Sequence, residues 1–285
     1  MLNNFLKKVY KKSIDGYKKD EKSIEKFIST LIVAIRFNFK SISEKKSIIL
    51  PTTGNEWINF SISKMKTISY IPSPVEYHHG TEEHLEELNK IYRYKGFADI
   101  EKGDLVIDVG AYTGTFSRAA APLADRVIAI DPIALLSRCL ERNLKRYDNT
   151  EILKKGLWKS ECKKRMKLSI SPSDNSLIGI DNEELEKDKE IEVSLKTLTS
   201  IAKERDIKVI DFLKVEAEGV EPEILKGSLG GGVLVKKVCV NCGAERNGKE
   251  PTEKVVSILS KFDYSIKVRR TDIWDAPIVF ARRNV

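Results

Sequence analysis

Apolar residues follow two different patterns along the chain, and the change of pattern divides it into two parts. In the first part they recur every three or four residues and then give way to short runs broken by prolines. In the second part short β-branched runs alternate with helical segments, as in a parallel sheet covered by helices. We therefore predict a helical and β extension over residues 1–90 and an α/β domain over residues 91–285.

The extension is predicted to begin with helices. Leu, Ile and Phe recur at helical spacing up to about residue 46, and Gly16 separates two helices. Two later runs, residues 57–60 and 67–71, lie among prolines and predict short antiparallel strands. A helix over residues 82–94 leads into the α/β domain. Because the extension carries no recognisable motif, we expect it to help select the substrate.

Seven apolar runs predict the strands of the α/β domain, which makes it a doubly wound fold. A polar stretch between the third and fourth strands contains a hairpin that we interpret as an insertion. The strands are predicted over residues 105–109, 126–130, 151–157, 209–215, 233–240, 264–268 and 276–282, the hairpin over residues 163–170 and 190–195, and helices over residues 115–124, 133–146, 199–205 and 253–261, with a further helix ending at Gly227.

A turn with two glycines follows the first strand of this domain, in the sequence VIDVGAYTG. The middle glycine of a dinucleotide-binding turn is missing, and Asp108 would repel a diphosphate but suits a ligand with an ammonium and a sulfonium group. Asp131 follows the next strand about twenty residues later, where such units place the carboxylate that binds a ribose. The alternative is a turn without a ligand. The candidate cofactor contacts are Asp108, Gly110, Ala111, Tyr112, Thr113, Gly114, Thr115, Asp131 and Pro132.

This unit resembles the S-adenosylmethionine site of the Rossmann-like methyltransferases. The resemblance implies that the glycine turn lies beside the amino-acid end of the cofactor and that Asp131 accepts hydrogen bonds from the ribose hydroxyls. In a methyltransferase of this fold the loop after the third strand borders the adenine, so Gly156, Leu157 and Trp158 are candidate adenine neighbours. The alternative is that these residues fill the edge of the sheet.

A second motif makes the resemblance specific. Residues 211–227, DFLKVEAEGVEPEILKG, closely resemble the FkbM-type methyltransferase signature DLIKIDVEGAEPEVLKG, and with the glycine turn and the hairpin the similarity covers about residues 91–282. The family implies S-adenosylmethionine as donor, a seven-stranded sheet whose last strand is antiparallel, and mostly O-methylation of hydroxyls on sugars and natural products. Glu216 stands where the family usually has aspartate, and Asp131 where it usually has glutamate.

Methyl transfer to a hydroxyl requires an acceptor held in line and a group that removes its proton. The loop after the fourth strand is predicted to face the methyl group, so Glu216 and Glu218 are candidate acid/base or positioning groups, with Lys214 beside them. We expect Glu216 to orient the cofactor or acceptor and Glu218 to be buried and bonded to backbone. His79, beside His78, is a further candidate base because neutral imidazole accepts a proton near pH 7; a surface pair without a role is the alternative.

No metal site is predicted. A divalent metal held by Glu216 and Glu218 is the less favoured alternative, because no third ligand is identifiable. Cys239 and Cys242 form a single C-x-x-C on an apolar run, without a second pair or a nearby histidine, and we interpret them as core residues.

Charge suggests an anionic partner. The chain carries 50 Lys and Arg against 42 Asp and Glu, and lysines crowd its first twenty positions. Such an end suits an anionic membrane surface or lipid-linked substrate, or a nucleic acid, although a solvated surface is an equally good interpretation. An RNA methyltransferase is therefore a second hypothesis, weakened by the lack of an Asn/Asp-Pro-Pro-aromatic motif. A non-catalytic membrane-docking protein is a third.

The compartment is inferred from cysteines and hydropathy. Four irregularly spaced cysteines favour a reducing environment, and the sequence shows neither a secretory signal nor an apolar run long enough to span a bilayer. We expect a cytoplasmic protein that can lie at the inner face of the membrane.

Overall fold

The computed structural model divides the chain into two compact units, residues 1–84 and 85–285. This division falls a few residues before residue 90, where the sequence pattern placed it. The predicted helix before Gly16 lies outside the residues that the structure describes, whereas the predicted helix after it is described from residue 24 to residue 43. The described residues are 24–43, 47–52, 56–61, 68–73, 78–169, 175–178, 185–246, 248–272 and 275–284.

The first unit packs one helix on a small antiparallel sheet. The three strands are hydrogen-bonded in the order β1-β2-β3, and β1 adds to the two predicted strands. One helix face, with Val33 and Phe37, packs on Ile49 and Trp57 from the sheet. The Asn38 side chain exchanges hydrogen bonds of 2.7 and 2.6 Å with the backbone of Ile49, which fixes the helix to β1. The elements are α1 (Ile24–Ser43), β1 (Ser47–Pro51), β2 (Trp57–Ser61) and β3 (Ile68–Ile71).

The second unit is built from β-strands and helices that alternate along the chain, as the sequence predicted. It follows a helix that begins in the last residues of the first unit and ends at Ile91, three residues earlier than predicted. In chain order the elements are α2 (Glu82–Ile91), β4 (Leu105–Val109), α3 (Thr115–Ala120), β5 (Arg126–Ile130), α4 (Ala134–Leu144), β6 (Thr150–Leu153), β7 (Gly156–Leu157), β8 (Cys162–Ser169), β9 (Leu185–Lys196), α5 (Leu198–Glu204), β10 (Val209–Val215), α6 (Glu221–Ser228), β11 (Leu234–Asn241), α7 (Thr252–Ser260), β12 (Tyr264–Arg270) and β13 (Pro277–Arg283).

Seven of these strands form one sheet in the order β12-β13-β11-β10-β4-β5-β6. The last strand, β13, runs antiparallel to both of its neighbours, whereas β10, β4, β5 and β6 pair in parallel. The predicted seven-stranded fold is therefore confirmed. Strand order reverses between β4 and β10, so the crevice where ligands bind in such sheets lies at the carboxyl ends of these two strands.

One predicted strand is two strands in different sheets. Residues 151–157 were expected to form a single strand, but β6 ends at Leu153 and β7 belongs to a separate sheet of order β7-β9-β8. The intervening Lys154 and Lys155 are polar, and Lys155 N–H bonds back to the Leu153 carbonyl at 2.9 Å, which turns the chain. The predicted hairpin is confirmed, and its return strand pairs with β7 next to the main sheet.

Helix ends differ from the predicted ones where backbone contacts override composition. The helix expected over residues 115–124 ends at Ala120, and the chain continues in turns, with the Leu123 N–H on the Ala120 carbonyl in a tighter i→i−3 bond of 2.9 Å. Gly227 does not end its helix, which continues to Ser228. A Cβ at Gly227 would lie 2.1 Å from the Trp158 carbonyl oxygen, so glycine is needed there for close packing rather than for termination.

Apolar side chains cover both faces of the main sheet. Successive residues of β10 point to opposite faces of the sheet, so that Leu213 lies in the larger cluster and Phe212 in the smaller one. Cys239 and Cys242 are free thiols buried in these clusters, as expected for core residues. None of the helices in the described part of the chain has the length and hydropathy that a bilayer crossing requires.

Candidate active site

A buried ion pair joins the two central strands at their carboxyl ends. Asp108 on β4 and Lys214 on β10 are register partners, so their side chains lie on the same face of the sheet. Lys214 Nζ lies 3.0 Å from Asp108 Oδ1 and donates a 3.0 Å hydrogen bond to the Gly110 carbonyl. The side chains of Lys214 and Asp108 are 2% and 0% exposed. The predicted glycine turn is thus tied to β10, the strand that precedes residues 216–220, which we call the signature loop.

Glu216 is the second anion of this cluster, and it lies at its open side with a side chain 30% exposed. Its Oε2 is 3.2 Å from Lys214 Nζ. Its Oε1 accepts hydrogen bonds from the Tyr92 hydroxyl at 2.5 Å and from the Asn241 amide at 2.8 Å. Two carboxylates therefore share one ammonium group. The cluster has five side chains, of which Asp108, Lys214 and Asn241 lie on three strands and Tyr92 and Glu216 on two loops.

The pKa values of this cluster favour its charged form. Burial raises the pKa of Glu216, but the Lys214 charge and the hydrogen bonds from Tyr92 and Asn241 outweigh it and hold that pKa below its ordinary value. Burial lowers the pKa of Lys214, but the two carboxylates outweigh it and raise the pKa above that of a free lysine. At neutral pH Lys214 is a fixed cation and cannot remove a proton, while Glu216 is a fixed anion.

The glycine turn needs both of its glycines. Gly110 and Gly114 have φ values of 68° and 84°, in the left-handed region that side chains disfavour. A Cβ on Gly110 would lie 1.7 Å from the Glu216 carbonyl oxygen, so the turn and the end of β10 could not approach as they do. Ala111, Thr113 and Thr115 point into the protein and are buried, which leaves the backbone of the turn and half-buried Tyr112 as its open parts.

Asp131 follows β5 and lies beside the same turn. Its carboxyl is almost fully buried, and its two oxygens accept hydrogen bonds from the N–H groups of Tyr112 at 3.1 Å and Ile133 at 3.0 Å. Burial is the main cause that raises the pKa of Asp131 to about 7, despite the Ile133 bond, with a further contribution from the Asp108 charge. Each oxygen keeps a lone pair for a hydroxyl donor, so the group fits a ligand that carries a diol.

The three candidate adenine neighbours separate into two environments. Gly156 is buried, and a Cβ there would lie 2.4 Å from Leu195 and 3.7 Å from Pro132, so Gly156 packs against these two residues. Leu157 and Trp158 are buried in the large apolar cluster, and Lys164 Nζ lies 4.9 Å from the centre of the Trp158 ring. Contact of these residues with an adenine stays a prediction.

Glu218 is not buried as predicted, and the buried carboxyl that accepts backbone hydrogen bonds around this loop is that of Glu221. Glu218 is half-buried and has a φ of 53°, so the chain turns there. Glu221 is fully buried, and its Oε1 accepts hydrogen bonds from Ala217 N–H at 2.9 Å and Gly219 N–H at 3.1 Å. Burial raises the pKa of Glu221 to about 7, although these bonds and that of its own N–H oppose the rise.

His79 lies in the first unit. Its ring centre is 4.3 Å from that of His78 and 4.8 Å from that of His84. Burial, followed by the charges of these neighbours, lowers its pKa well below the ordinary value. A neutral imidazole is consistent with a base, but its part in catalysis stays a prediction.

Sequence reasoning missed three residues of the site. Tyr92 and Asn241 complete the Glu216 cluster, and Glu221 holds the signature loop. Asn241 ends β11, next to β10, so its place at a strand end was a usable signal. Tyr92 gives no such signal, because it lies 124 residues before Glu216. Within the described ranges no group of three or more His, Cys, Asp or Glu side chains is placed to hold a metal ion.

The signature loop, the glycine turn and the strand order agree with one family model. The Methyltransferase FkbM domain matches residues 108–266, more than half of the chain. The chain belongs to the FkbM methyltransferase family. The matched range of this FkbM protein begins at Asp108 and includes Asp131, Lys214, Glu216, Glu221 and Asn241.

Solved structures similar to this FkbM protein include three methyltransferase or RNA-processing proteins. The FkbM methyltransferase of Methylobacillus flagellatus KT is 18% identical over 70% of this chain and 50% of that one, with a TM-score of 0.47. This chain thus spans about half the length of that relative. The precorrin-6y C5,15-methyltransferase of Geobacter metallireducens GS-15 is 12% identical over 71% and 89%, with a TM-score of 0.40. The fibrillarin pre-rRNA processing protein of Methanococcus jannaschii is 14% identical over 84% and 98%, with a TM-score of 0.43. No curated protein matches the chain.

Proposed function

We propose that this FkbM protein transfers a methyl group from S-adenosylmethionine to a hydroxyl of a sugar, a glycan or a related small molecule. The observation that carries the proposal is the Asp108–Lys214–Glu216 cluster, which lies at the carboxyl ends of β4 and β10 beside the glycine turn. The cluster lies where doubly wound sheets bind their ligands. Its fixed charges suit a reaction in which a cationic donor meets a neutral acceptor.

The charges of the site fit this cofactor. When bound, S-adenosylmethionine supplies a methyl group on a positively charged sulfonium. Asp108 and Glu216 share the single cation of Lys214, which leaves an excess of negative charge that favours a cationic ligand, and Asp131 adds to this excess when it is ionised. Asp131 has lone pairs for the ribose hydroxyls, and the glycine turn offers its backbone to the amino-acid end.

The acceptor hydroxyl must lose its proton. The two carboxylates of the signature loop, Glu216 and Glu218, are not equally able to accept it. Both oxygens of Glu216 are already engaged, by Lys214 on one side and by Tyr92 and Asn241 on the other. We assign Glu216 to orienting the reactants. Glu218 is half-buried at the turn of the loop, so its carboxylate is the better candidate for general base. His79 is the alternative base.

A divalent metal remains the less favoured option. It would need Glu216 and Glu218 as ligands, but the oxygens of Glu216 already face an ammonium, a hydroxyl and an amide. A metal would have to displace Lys214, whose charge keeps Asp108 stable in the interior. The cluster thus supports proton removal by a carboxylate without metal ligation.

RNA as the acceptor receives less support from the charge distribution. Residues 74–285 carry 36 Lys and Arg and 36 Asp and Glu, so the part that contains the family match has no excess of positive charge. Proteins that bind RNA backbones usually need one, because phosphate contacts supply most of the affinity. The non-catalytic alternative is weakened by the complete glycine turn and by the three carboxyls around it.

Calorimetric titration with S-adenosylhomocysteine tests the cofactor assignment. The matched variants are Asp131→Ala and Asp125→Ala, which change the carboxyls that flank β5 at its two ends. Asp125 is exposed, so its loss should leave binding unchanged. We expect the wild type to bind and Asp131→Ala to bind at least about tenfold more weakly, because two hydroxyl hydrogen bonds to a buried carboxyl are lost. A folded wild type that does not bind, or equal binding by Asp131→Ala, contradicts the assignment.

The acceptor class is tested with a methyl-labelled donor and two separate acceptor pools, a set of hydroxyl-bearing glycans and total cellular RNA. Label in a glycan that resists mild base, as an ether does, supports O-methylation of a hydroxyl. Label confined to RNA supports the second hypothesis and contradicts the first. The Asp131→Ala protein serves as the control, because it keeps the acceptor side but should lack the donor.

A further inference from the structure

Helix α1 has an apolar stripe that it does not use for packing in its own unit. Its inner face, with Val33 and Phe37, packs on the small sheet. Leu31, Ile35 and Phe39 are nevertheless 49%, 56% and 80% exposed. Spaced four residues apart, they form one row along the helix, about 150° around the axis from the buried face. Rows of large exposed apolar side chains mark interaction surfaces in soluble proteins.

The positive charge of the protein lies in the same part of the chain. Residues 1–73 carry 14 Lys and Arg against 6 Asp and Glu, whereas the rest of the chain is balanced. Arg36 is exposed beside Ile35 on α1. Seven lysines precede the helix directly in the sequence, at positions 7, 8, 11, 12, 18, 19 and 22.

The first unit combines an apolar stripe with a local excess of Lys and Arg. Such a surface is complementary to a partner that has an apolar interior beneath an anionic outer layer. Anionic lipid bilayers have this structure, and helices of this composition lie in the plane of the interface with their apolar face below the headgroups. A typical protein partner would complement the stripe alone and would leave the whole excess of eight charges unexplained. The charge therefore selects between the two kinds of partner.

We propose that α1 docks this protein on the surface of an anionic lipid bilayer, with Leu31, Ile35 and Phe39 inserted below the headgroups and the flanking basic residues at the phosphates. The helix lies along the bilayer rather than across it, because its charged residues and mean hydropathy do not permit a crossing. This inference does not depend on methyl transfer, and its test uses no activity measurement.

The small sheet supplies a matched control. Ile48 and Leu50 are 41% and 45% exposed, and they alternate with buried Ile49, so they lie on the sheet face that points away from α1. One flat bilayer cannot contact both surfaces of the unit. Changing this face removes a similar apolar area without touching the proposed docking stripe.

The test is co-sedimentation of the full chain with vesicles of phosphatidylcholine alone or with added phosphatidylglycerol. The variants are Ile35→Ser/Phe39→Ser and the control Ile48→Ser/Leu50→Ser, each checked for folding by circular dichroism. We expect the wild type and the control to bind the anionic vesicles and to be released by salt. The α1 variant should bind at least about tenfold more weakly, since two apolar side chains no longer enter the interface.

A Phe39→Trp protein gives a second readout that does not depend on the double variant folding. Phe39 is the most exposed residue of the stripe, so tryptophan should fit there. Its emission should shift to the blue on anionic vesicles and be quenched by brominated lipid. The proposal is overturned if the wild type does not prefer anionic vesicles, if the α1 variant binds as the wild type does, or if only the sheet variant loses binding. A wild-type dimer that dissociates in the α1 variant without any vesicle binding would assign the stripe to a second copy and overturn it as well.

Discussion

Glu216 and Glu221 lie five residues apart around one loop, yet their surroundings move their pKa values in opposite directions. Glu216 faces the Lys214 ammonium and accepts hydrogen bonds from Tyr92 and Asn241, and its pKa is lowered despite burial. Glu221 accepts bonds from backbone N–H groups, and burial raises its pKa to about 7. Burial alone therefore does not decide the charge of a carboxyl here. The contact with Lys214 is what keeps Glu216 ionised.

The two carboxyls accordingly suit different tasks. Glu216, ionised and partly open, can act on a ligand through its charge. Glu221 is buried and can hold a proton near neutral pH. Its hydrogen bonds fix the shape of the loop that carries Glu216 and Glu218. The contrast depends on Lys214, Tyr92 and the backbone of the loop, and each of these can be changed separately.

Removing the shared cation should have the largest effect. In Lys214→Met two carboxylates face each other without compensation, one of them fully buried. We expect the free energy of unfolding at pH 7 to fall by about 3–5 kcal/mol, measured by urea titration. The control is Lys236→Met, on the neighbouring strand, whose half-exposed ion pair with Asp211 should be worth about 1 kcal/mol or less. Equal losses in the two variants would contradict the role given to Lys214.

Glu221 should make stability depend on pH. Its folded pKa of about 7 lies above the ordinary value of 4.5, so between these values the folded state holds more protons than the unfolded one. The stabilising effect of that proton is complete below pH 4.5 and is lost as the pH rises to about 7, a fall of about 3 kcal/mol.

Glu221→Gln should flatten this profile in urea titrations from pH 5 to pH 8, because the amide resembles the protonated acid. Asp131, with its pKa raised in the same direction, leaves a remaining slope of the same sign. Glu253→Gln is the control, since Glu253 stands in the first turn of α7 but is exposed. A profile that Glu221→Gln leaves as steep as before would show that Glu221 is not buried in the protonated form.

Substitutions of Glu216 and Glu218 should affect different kinetic constants. Glu218→Gln is expected to lower kcat about a hundredfold, as the loss of a general base does, with little change in KM. Glu216→Gln should raise KM as well, because the orienting anion is lost. Initial rates with the labelled donor over a range of concentrations distinguish the two. Full turnover in both variants would refute both assignments.

Tyr92→Phe should produce the smallest change. It removes one hydrogen bond to an ionised carboxylate, which is worth about 1.5 kcal/mol of stability. The pKa of Glu216 should rise, which carbon-detected NMR of labelled glutamate can follow. Tyr147→Phe is the control, because its hydroxyl accepts only a 3.3 Å bond from exposed Arg146. Unchanged titration of Glu216 in Tyr92→Phe would break the proposed link.

Local and topological rules account for what the sequence predicted well. Carboxyl ends of parallel strands meet at one edge of a sheet, so Asp108 and Lys214 could be placed together from their strands alone. The partners of Glu216 could not be predicted, because Tyr92 reaches it across 124 residues of chain. The sequence did not predict that Glu221 rather than Glu218 is buried, because this depends on the backbone at Glu218 and Gly219, whose φ values of 53° and 88° reverse the chain before the helix begins.

Gly227 also limits which sequence changes this fold can accept. Its backbone lies against the Trp158 carbonyl, so the segment that leads into the hairpin and the helix of the signature loop touch without any side chain between them. A chimera that takes the hairpin from a relative must therefore also inherit the path of the chain at Trp158. We expect a change at the base of the hairpin to require a matching change in the helix that follows the signature loop.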